Sequence, residues 1–370
     1  MRQVPLLDLK ALHAPVRTEI LAAIERVFDS QSFVLGEPVT LLENAIGTYC
    51  RAPYAVGCAS GTDALILALT AAGVQPGDQV LTTPFSFFAT ASAIHHVRAV
   101  PVFADIDPAT FNLDPQAAEA CPSSIKAVIP VHLFGGCADM DPLLKLARHR
   151  GWRVIEDAAQ AIGAGHRQGH AASLGDFGCL SFFPSKNLGG LGDGGMVTCL
   201  DAADRQRLVA LRNHGSTRKY FHETVGYNSR LDTLQAAALL VKLRHLDAET
   251  AARQANAARY TELLAGLPVV TPPTASYQTR HVFNQFVIRA PRRDELKQYL
   301  ASRGIGTEIY YPLPLHLQEC FRHLGYAAGA FPVSEEAARQ VLALPIHSAL
   351  SDEDLEWVAR AIRAFYDGAF

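Results

Sequence analysis

Lys186 lies in an unusual place for a lysine, between an aromatic, strand-like run and a stretch rich in glycine. Residues 181–195 read SFFPSKNLGGLGDGG, with five glycines after the lysine. A lysine amine acts as a covalent catalyst when it forms a Schiff base with a carbonyl, and the commonest protein-bound aldehyde of this kind is pyridoxal phosphate. Glycines after the lysine would let the backbone pass close to a cofactor and a substrate. The segment therefore predicts a lysine that binds a carbonyl cofactor.

Such a site also needs an acidic partner for the pyridine nitrogen and donors for the phosphate. Asp157 ends the apolar run WRVIEDAA, at the carboxyl edge of a predicted sheet, where α/β proteins build their sites. Gly61 and Thr62 in ASGTDAL lie at a predicted strand-to-helix junction, where free backbone N–H groups can hold a phosphate. An aspartate at the end of a strand, or a glycine and a threonine at the start of a helix, more often has only a structural role. Their combination, in the order phosphate loop, aromatic, aspartate and lysine, predicts a pyridoxal phosphate site.

A second glycine pattern in the same stretch suggests a dinucleotide site, because Gly190, Gly192 and Gly195 satisfy G-x-G-x-x-G. That fingerprint needs a strand before it, a helix after it and an acidic residue about 20 positions further on. Here GGMVTCL continues as a strand, and the sequence has no G-x-x-x-x-G-K-[ST] loop. The lysine chemistry is the better interpretation.

The elements that must position these residues are predicted from apolar periodicity. Between residues 55 and 200, short continuously apolar runs alternate with helical patterns, as strands buried on both faces of a parallel sheet do. This part of the chain is predicted to be α/β, with helices on both faces of the sheet.

The rest of the chain shows a different pattern. A long helical pattern begins at RLDTLQAAALLVKLRHLD, and a turn-rich linker over residues 267–280 precedes the predicted strands HVFNQFVIRA and GTEIYYP. Two predicted helices, SEEAARQVLAL and SDEDLEWVARAIRAFY, close the chain. The sequence therefore predicts a large cofactor-binding domain over residues 1–245 and a small α+β domain over residues 246–370.

Charge and cysteine content limit the class of protein. The 370 residues include 33 basic and 36 acidic side chains, a net charge of −3, which gives no reason to expect nucleic acid or a membrane surface as a partner. The seven cysteines contain no C-x-x-C pair, as expected of reduced thiols in a cytoplasmic protein. No stretch reaches the roughly 18 apolar residues of a membrane span. His316, Cys320 and His323 lack a fourth ligand nearby in sequence, so no metal is expected.

Five segments carry a resemblance to a known family: CASGTDAL, VIEDAAQAIG, SFFPSKNLGG, GYNSRLDTLQAA and YYPLPLHLQ. They resemble the DegT/DnrJ/EryC1/StrS sugar aminotransferases, occur in that family's order and span nearly the whole chain. The resemblance implies the fold type I architecture of pyridoxal phosphate enzymes: a mostly parallel central sheet with helices on both faces and a smaller C-terminal α+β domain. It also implies a homodimer whose active sites lie at the interface.

Carried over residue by residue, the family pattern implies the cofactor contacts. Lys186 would form the covalent link, and Asp157 would face the ring nitrogen. The other implied contacts are Gln160 to the phenolic oxygen, Ser181 with the Gly61 and Thr62 amides to the phosphate, Phe87 to the ring face, and Asn228 of the partner subunit to the phosphate. Phe88, next to Phe87, is the alternative for the ring contact.

The inferred reaction is a two-stage amino transfer, in which an amino acid leaves its nitrogen on the cofactor and a keto-sugar collects it. Lys186, released when a substrate binds, is the natural base to move a proton between the substrate and cofactor carbons. Family members that dehydrate sugars carry histidine at this position, so the lysine favours transamination. Glutamate is the usual amino donor of similar enzymes.

The segments RNHGSTRKYFHETVGYNSRLDTLQAA and IYYPLPLHLQ resemble those of enzymes that aminate C3 of a 3-oxo nucleotide sugar. The sugar is either a thymidine-linked 6-deoxyhexose or a uridine-linked 2-acetamido uronate. The predicted contacts with sugar and diphosphate are Arg230, Tyr310, Tyr311 and His316, although relatives commonly carry His-Tyr in place of the tyrosine pair. The alternatives are a 4-oxo nucleotide-sugar aminotransferase, another pyridoxal phosphate chemistry, a cofactor-free binding protein and a DNA-binding regulator. No basic helix-turn-helix pattern supports the regulator.

Overall fold

The computed structural model describes residues 2–368, in which helices and short strands alternate along most of the chain. The helices are α1 (Leu9–His13), α2 (Arg17–Ser30), α3 (Glu37–Cys50), α4 (Gly61–Ala71), α5 (Ala89–His96), α6 (Pro115–Glu119), α7 (Met140–Arg150), α8 (Ala202–Leu211), α9 (Thr233–Leu243), α10 (Leu246–Leu263), α11 (Arg293–Ser302), α12 (Pro332–Gln340) and α13 (Asp352–Asp367). The strands are β1 (Tyr54–Cys58), β2 (Gln79–Thr82), β3 (Val100–Phe103), β4 (Ile125–Val128), β5 (Arg153–Asp157), β6 (Gly165–His166), β7 (Gly169–His170), β8 (Phe177–Ser181), β9 (Gly195–Cys199), β10 (Ser216–Arg218), β11 (Phe221–His222), β12 (Gln278–Arg280), β13 (Phe286–Arg289) and β14 (Val341–Leu344).

Seven strands form the central sheet, in the order β1-β9-β8-β5-β4-β2-β3. Every neighbouring pair from β8 through β5, β4 and β2 to β3 is parallel, whereas β9 runs antiparallel to both β1 and β8. The predicted mostly parallel sheet is therefore confirmed. Because the parallel strands end at the same edge, residues that follow different strands meet there.

Apolar side chains cover both faces of this sheet, which explains why its strands are apolar throughout. Alternate residues of a strand enter opposite cores: Val56 packs with α4, α5 and α8, and its neighbour Ala55 packs with α3 and α9. In β8 the same alternation places Cys179 in the first core and Leu180 in the second. The helices thus lie on both faces, as predicted.

The C-terminal part of the chain has its own core, in which α10, α11 and α13 pack against the antiparallel pair β13 and β14. Val4, near the N-terminus, joins this core through a bridge to Ile305. Helix α10 begins where the sequence pattern divides the chain. We keep residues 1–245 and 246–370 as proposed domains, and residues 1, 369 and 370 lie outside the described part.

Three elements differ from the sequence-based prediction. The segment GTEIYYP forms no strand, because only Glu308 pairs with a neighbour, Ala343. The pattern SEEAARQVLAL is helical only to Gln340, since the apolar VLAL pairs with β13 instead. The helix predicted from RLDTLQAAALLVKLRHLD is broken between α9 and α10.

Candidate functional site

A cavity of about 680 Å³ lies at the carboxyl edge of the parallel strands. Asp157 ends β5 and Ser181 ends β8, and both line the cavity. It brings together most of the residues that the sequence predicted: Gly61, Thr62, Phe87, Asp157, Gln160, Ser181, Lys186, Tyr310 and Tyr311. Residues up to 250 positions apart in sequence meet here because the strands and helices that precede them share this edge.

Lys186 lies in the loop that connects β8 to β9. Its backbone N–H donates a 2.9 Å hydrogen bond to the Phe183 carbonyl, so the chain turns at Pro184 and directs the lysine to the cavity. Burial lowers the pKa of the Lys186 amine to about 8, and the negative charge of Asp157 partly opposes this shift. A free amine is the nucleophilic form, so the environment prepares Lys186 to attack a carbonyl near neutral pH.

The lysine loop is anchored by buried amide side chains. Asn187, next to Lys186, donates a 3.0 Å hydrogen bond to the Val282 carbonyl. Its side-chain oxygen accepts a 2.9 Å hydrogen bond from Asn284. Both asparagines are buried, so the position of the Lys186 backbone is fixed by the segment that precedes β13.

The lowered pKa predicts how the cofactor-free protein captures pyridoxal phosphate at different pH values. With a pKa of about 8, about one-tenth of the Lys186 amine is free at pH 7, against less than about one-thousandth for an ordinary lysine. The rate of capture should therefore rise with pH and level off above about pH 8. Stopped-flow absorbance from pH 6 to 10 measures this profile. A rate that still rises steeply above pH 9 would contradict it.

Asp157 is buried at the end of β5, where the segment that follows β4 holds its backbone. Its N–H donates to the Pro130 carbonyl at 2.9 Å, and its carbonyl accepts from the N–H of His132 at 3.0 Å. The carboxylate accepts a 2.7 Å hydrogen bond at Oδ2 from the Thr90 hydroxyl and a 3.2 Å hydrogen bond at Oδ1 from the N–H of Ala159. The structure thus holds one negative charge at a fixed place on the cavity wall.

Glu156 stabilises the same end of β5 from the opposite face. Its fully buried carboxylate accepts hydrogen bonds from the N–H groups of Ala172, Leu174 and Gly175, at 2.7–2.9 Å. It also lies 2.7 Å from Nε2 of His132, whose Nδ1 accepts a backbone N–H, so Nε2 carries the proton and donates. A buried carboxylate that is fully hydrogen-bonded keeps the strand in register beside Asp157.

The N-terminus of α4 also lines the cavity. The Ser60 hydroxyl caps this helix by accepting a 3.1 Å hydrogen bond from the N–H of Asp63, and Gly61 and Thr62 follow in the first turn. A Cβ on Gly61 would lie 2.7 Å from Cβ of Ser181, so only glycine allows the helix to approach β8 this closely. Free N–H groups at a helix N-terminus, next to a hydroxyl, form an anion-binding site.

Gln160 presents a hydrogen-bond donor to the cavity. Its Oε1 accepts a 2.7 Å hydrogen bond from the N–H of Phe134, which identifies the other terminal atom as Nε2. That nitrogen donates to the hydroxyl of Tyr311 at 3.1 Å. The pair can therefore offer N–H and O–H groups to an oxygen of a bound molecule.

The structure distinguishes the two neighbouring phenylalanines. Phe87 lines the cavity, and its ring centre lies 6.3 Å from that of Tyr311. Phe88 points away and packs against Phe321, at 5.7 Å between ring centres. Of the two, Phe87 alone is placed to contact a ring bound in the cavity.

Three predicted site residues do not reach the cavity within one chain. Asn228 is exposed, and the guanidinium of Arg230 donates to the side chain of Asn213 at 3.1 Å. His316 is fully buried, 3.1 Å from Glu335, and burial lowers the pKa of its imidazole. Within one chain the His316 ring thus lies beneath the surface and outside the cavity, and its contact with the sugar stays a prediction.

Among residues 2–368, one cluster has the spacing of metal ligands: Asp139, Asp141 and His166, with atoms within 4.8 Å of one another. The guanidinium of Arg167 already pairs with Asp141. Nδ1 of His166 accepts a 3.1 Å hydrogen bond from the N–H of Gln168, so the proton of the neutral ring is on Nε2. Since the ring then presents N–H rather than a lone pair, we assign no metal to the cluster.

Several polar residues of the site were not predicted. The cavity is also lined by Ser86, Asp193, Gln285 and Glu308. Thr90 does not line it but donates a hydrogen bond to the Asp157 carboxylate. Glu308 lies two residues before Tyr310, so extended chain through that segment could have indicated it. No local pattern marks Thr90, because its partner Asp157 is 67 positions away in sequence.

Comparisons with known proteins support one family. The DegT/DnrJ/EryC1/StrS aminotransferase family matches residues 15–363. A pleiotropic regulatory protein of Geobacillus stearothermophilus is 48% identical, over 98% of this chain and 98% of that protein. A UDP-N-acetyl-3-dehydro-alpha-D-glucosamine 3-aminotransferase of Acidithiobacillus ferrooxidans is 45% identical, over 99% and 98% of the two chains.

A solved structure gives the same result for the fold. The crystal structure of DesV from S. venezuelae, in complex with a ketimine intermediate, superposes with a TM-score of 0.96. It is 42% identical, and the match covers 99% of each chain. The predicted fold type I architecture is thereby confirmed. Since the family match spans most of the sequence and the structural match nearly all of it, this chain belongs to the DegT/DnrJ/EryC1/StrS aminotransferase family.

Proposed function

We propose that this protein transfers an amino group from an amino acid, L-glutamate, to C3 of a 3-oxo nucleotide-linked sugar, with pyridoxal phosphate as cofactor. The observation that carries the proposal is the amine of Lys186, whose pKa burial lowers to about 8, in one cavity with the carboxylate of Asp157. The relative from A. ferrooxidans is named for amination of a UDP-linked 3-dehydro sugar, which supports this acceptor class. The name of the G. stearothermophilus relative describes regulation, but an amine, a carboxylate and an anion site in one cavity favour catalysis for this chain.

The residues present fit pyridoxal phosphate at three points. The N-terminus of α4, with Gly61, Thr62 and the Ser181 hydroxyl, would hold the phosphate, since all three residues line the cavity. Asp157 would face the ring nitrogen, and Lys186 would bind the aldehyde carbon. When bound, the cofactor supplies an electron sink that stabilises negative charge at the substrate carbon.

The side chains of this protein then perform the remaining tasks. Nζ of Lys186, whose pKa burial lowers to about 8, would take a proton from the substrate carbon and return it to the cofactor carbon. Asp157 would keep a proton on the ring nitrogen. Nε2 of Gln160 would donate to the phenolic oxygen, and the rings of Phe87 and Tyr311 would exclude water from the ring face.

The acceptor sugar would bind beyond Lys186, where Tyr310 and Tyr311 line the cavity. A UDP-linked 2-acetamido sugar and a dTDP-linked 6-deoxyhexose are the two acceptors that we propose. Assays of the purified protein with glutamate and a panel of 3-oxo and 4-oxo sugars on both nucleotides test this. Turnover of 3-oxo sugars supports the proposal, and turnover of 4-oxo sugars alone would replace it with the alternative.

We further propose a homodimer with shared active sites. The segment from residue 214 to 228, which contains β10 and β11, exposes apolar side chains, with Tyr220 82% and Val225 92% accessible. Exposed apolar residues of this size commonly mark a subunit interface. Asn228 ends this segment and is itself exposed, so a contact with the phosphate of the partner's site accounts for its position outside its own cavity.

A mixed dimer tests this shared site. One subunit carries Lys186→Ala and the other Asn228→Ala, each with its own affinity tag, and the mixed species is isolated after co-expression. If Asn228 acts in the partner's site, one of the two sites is intact, and the mixed dimer recovers about half of the wild-type activity. Each variant alone is the control. A mixed dimer no more active than the Asn228→Ala protein would place Asn228 in its own subunit's site.

We propose the cytoplasm as the location of the protein. Its seven cysteines are all free, and most are buried, as in proteins that fold in a reducing compartment. Within residues 2–368, none of the helices combines the length and the apolar character needed to cross a bilayer.

A further inference from the structure

Two consecutive hydrogen bonds connect the Asp157 carboxylate to the hydroxyl groups of Thr90 and Ser86. Oγ1 of Thr90 lies 2.7 Å from Oδ2 of Asp157, and Oγ of Ser86 lies 2.8 Å from Oγ1 of Thr90. All three side chains are buried, at 0–6% exposure. No other polar side chain in the described residues hydrogen-bonds the carboxylate, so Thr90 is its one side-chain support.

The chemistry of the groups fixes the direction of this chain. An ionised carboxylate only accepts hydrogen bonds, so the Thr90 hydroxyl must donate its proton to Asp157. The Thr90 oxygen then accepts from the hydroxyl of Ser86. A hydrogen bond to a charged acceptor is about twice as strong as one between neutral groups, so the bond to Asp157 is the strong one.

The two oxygens of Asp157 therefore have different surroundings. Oδ2 is held by Thr90, and Oδ1 accepts only the longer 3.2 Å bond from the N–H of Ala159. Oδ1 keeps a lone pair for another donor. We propose that Thr90, supported by Ser86, is a positioning residue that orients the Asp157 carboxylate so that Oδ1 meets the ring nitrogen of the cofactor. This inference rests on the proposed function.

The turn that contains Thr90 also positions Phe87, the predicted contact of the cofactor ring. The N–H of Thr90 donates a 3.2 Å hydrogen bond to the carbonyl of Phe87, at the start of α5. Phe87 lines the cavity, while Thr90 points behind it to Asp157. One turn thus positions both Phe87, which lines the cavity, and Thr90, which bonds Asp157. This explains why a threonine is useful at a buried position of an alanine-rich helix.

A matched pair of variants of the holoenzyme tests the role of the Thr90 hydroxyl. Thr90→Val keeps the shape and removes the donor, and Thr90→Ser keeps the donor. For Thr90→Val we expect kcat with glutamate as amino donor to fall about 10- to 100-fold with little change in KM. In Thr90→Ser the same kcat should stay within about threefold of the wild-type value. The pH at which the visible band of the lysine-bound cofactor titrates should rise in Thr90→Val, because a less well protonated ring nitrogen repels the protonated linkage less. A merely structural role would not move that titration.

A double-mutant cycle shows whether Thr90 acts through Asp157. In the Asp157→Asn background, adding Thr90→Val should lower kcat by less than about twofold further. Additive effects would overturn the proposal, as would wild-type kinetics and titration in Thr90→Val alone. If Thr90→Val does not fold, Ser86→Ala carries the test, with an expected two- to tenfold fall in kcat, and wild-type values for it would likewise overturn the proposal. Failure of the wild-type protein to bind pyridoxal phosphate would instead overturn the proposed function.

Discussion

The Lys186→Ala protein is expected to show no visible absorbance from a covalently bound cofactor and to lose its transaminase activity. The loss should be at least about 10²- to 10⁴-fold, the usual contribution of a positioned general base, because the same amine also forms the covalent link. No other lysine lines the cavity among the described residues, and Lys242, in a small adjoining pocket, is held by the Gly189 carbonyl. Absorbance spectra after dialysis and a coupled assay with glutamate measure both effects.

Lys145 provides the matched control for this experiment. It is exposed on α7 and absent from the cavity wall, so Lys145→Ala should keep the wild-type spectrum and activity. Reduction with borohydride before digestion should fix the cofactor on the peptide that contains Lys186. Retention of the visible band by Lys186→Ala would refute the covalent role of Lys186. A wild-type band that glutamate leaves unchanged would indicate a different pyridoxal phosphate chemistry.

The parts of the site that were predictable from sequence are those that the parallel sheet itself brings together. Asp157 and Ser181 each end an apolar strand, and Gly61 follows one, so their meeting at one edge follows from the strand pattern alone. Lys186 could be predicted because a lysine stands out between an aromatic, strand-like run and five glycines. The glycines themselves pack closely against protein atoms, as Gly189 does against Pro184. Asp157, Ser181, Gly61 and Lys186 line the cavity, and their roles remain predictions for the experiments above.

The parts that were not predictable depend on contacts between distant segments. His316 has the residue type of a site histidine, but α12 supplies Glu335 beside it, and no local pattern shows that the ring is covered. The segment GTEIYYP has the composition of a strand, yet it lacks a partner except at Glu308. Thr90 is ordinary in an alanine-rich helix until the fold places Asp157 within 2.7 Å. In each case the tertiary neighbour, and not the local sequence, decides the outcome.

The Asp157→Asn protein is expected to keep its cofactor and lose most of its rate, in contrast to Lys186→Ala. An amide at this position is neutral: its oxygen can keep the hydrogen bond from the N–H of Ala159 while its NH₂ donates to the Thr90 oxygen. The ring nitrogen would then face no negative charge, so it would lose its proton and the ring its capacity to accept charge. We expect kcat with glutamate as amino donor to fall about 10²- to 10³-fold, comparable to the loss of one preorganised electrostatic contact.

The spectrum and a cofactor analogue separate this electrostatic role from a structural one. Because Lys186 is intact, Asp157→Asn should retain a visible band, and its thermal unfolding should stay close to that of the wild type. A pyridoxal phosphate methylated on the ring nitrogen carries a fixed positive charge, so it should restore part of the lost rate in Asp157→Asn. Wild-type kcat in the variant would contradict the role of Asp157. A large loss that the methylated cofactor leaves unchanged, together with a lowered unfolding temperature, would show that the carboxylate acts on the structure of β5 and not on the ring.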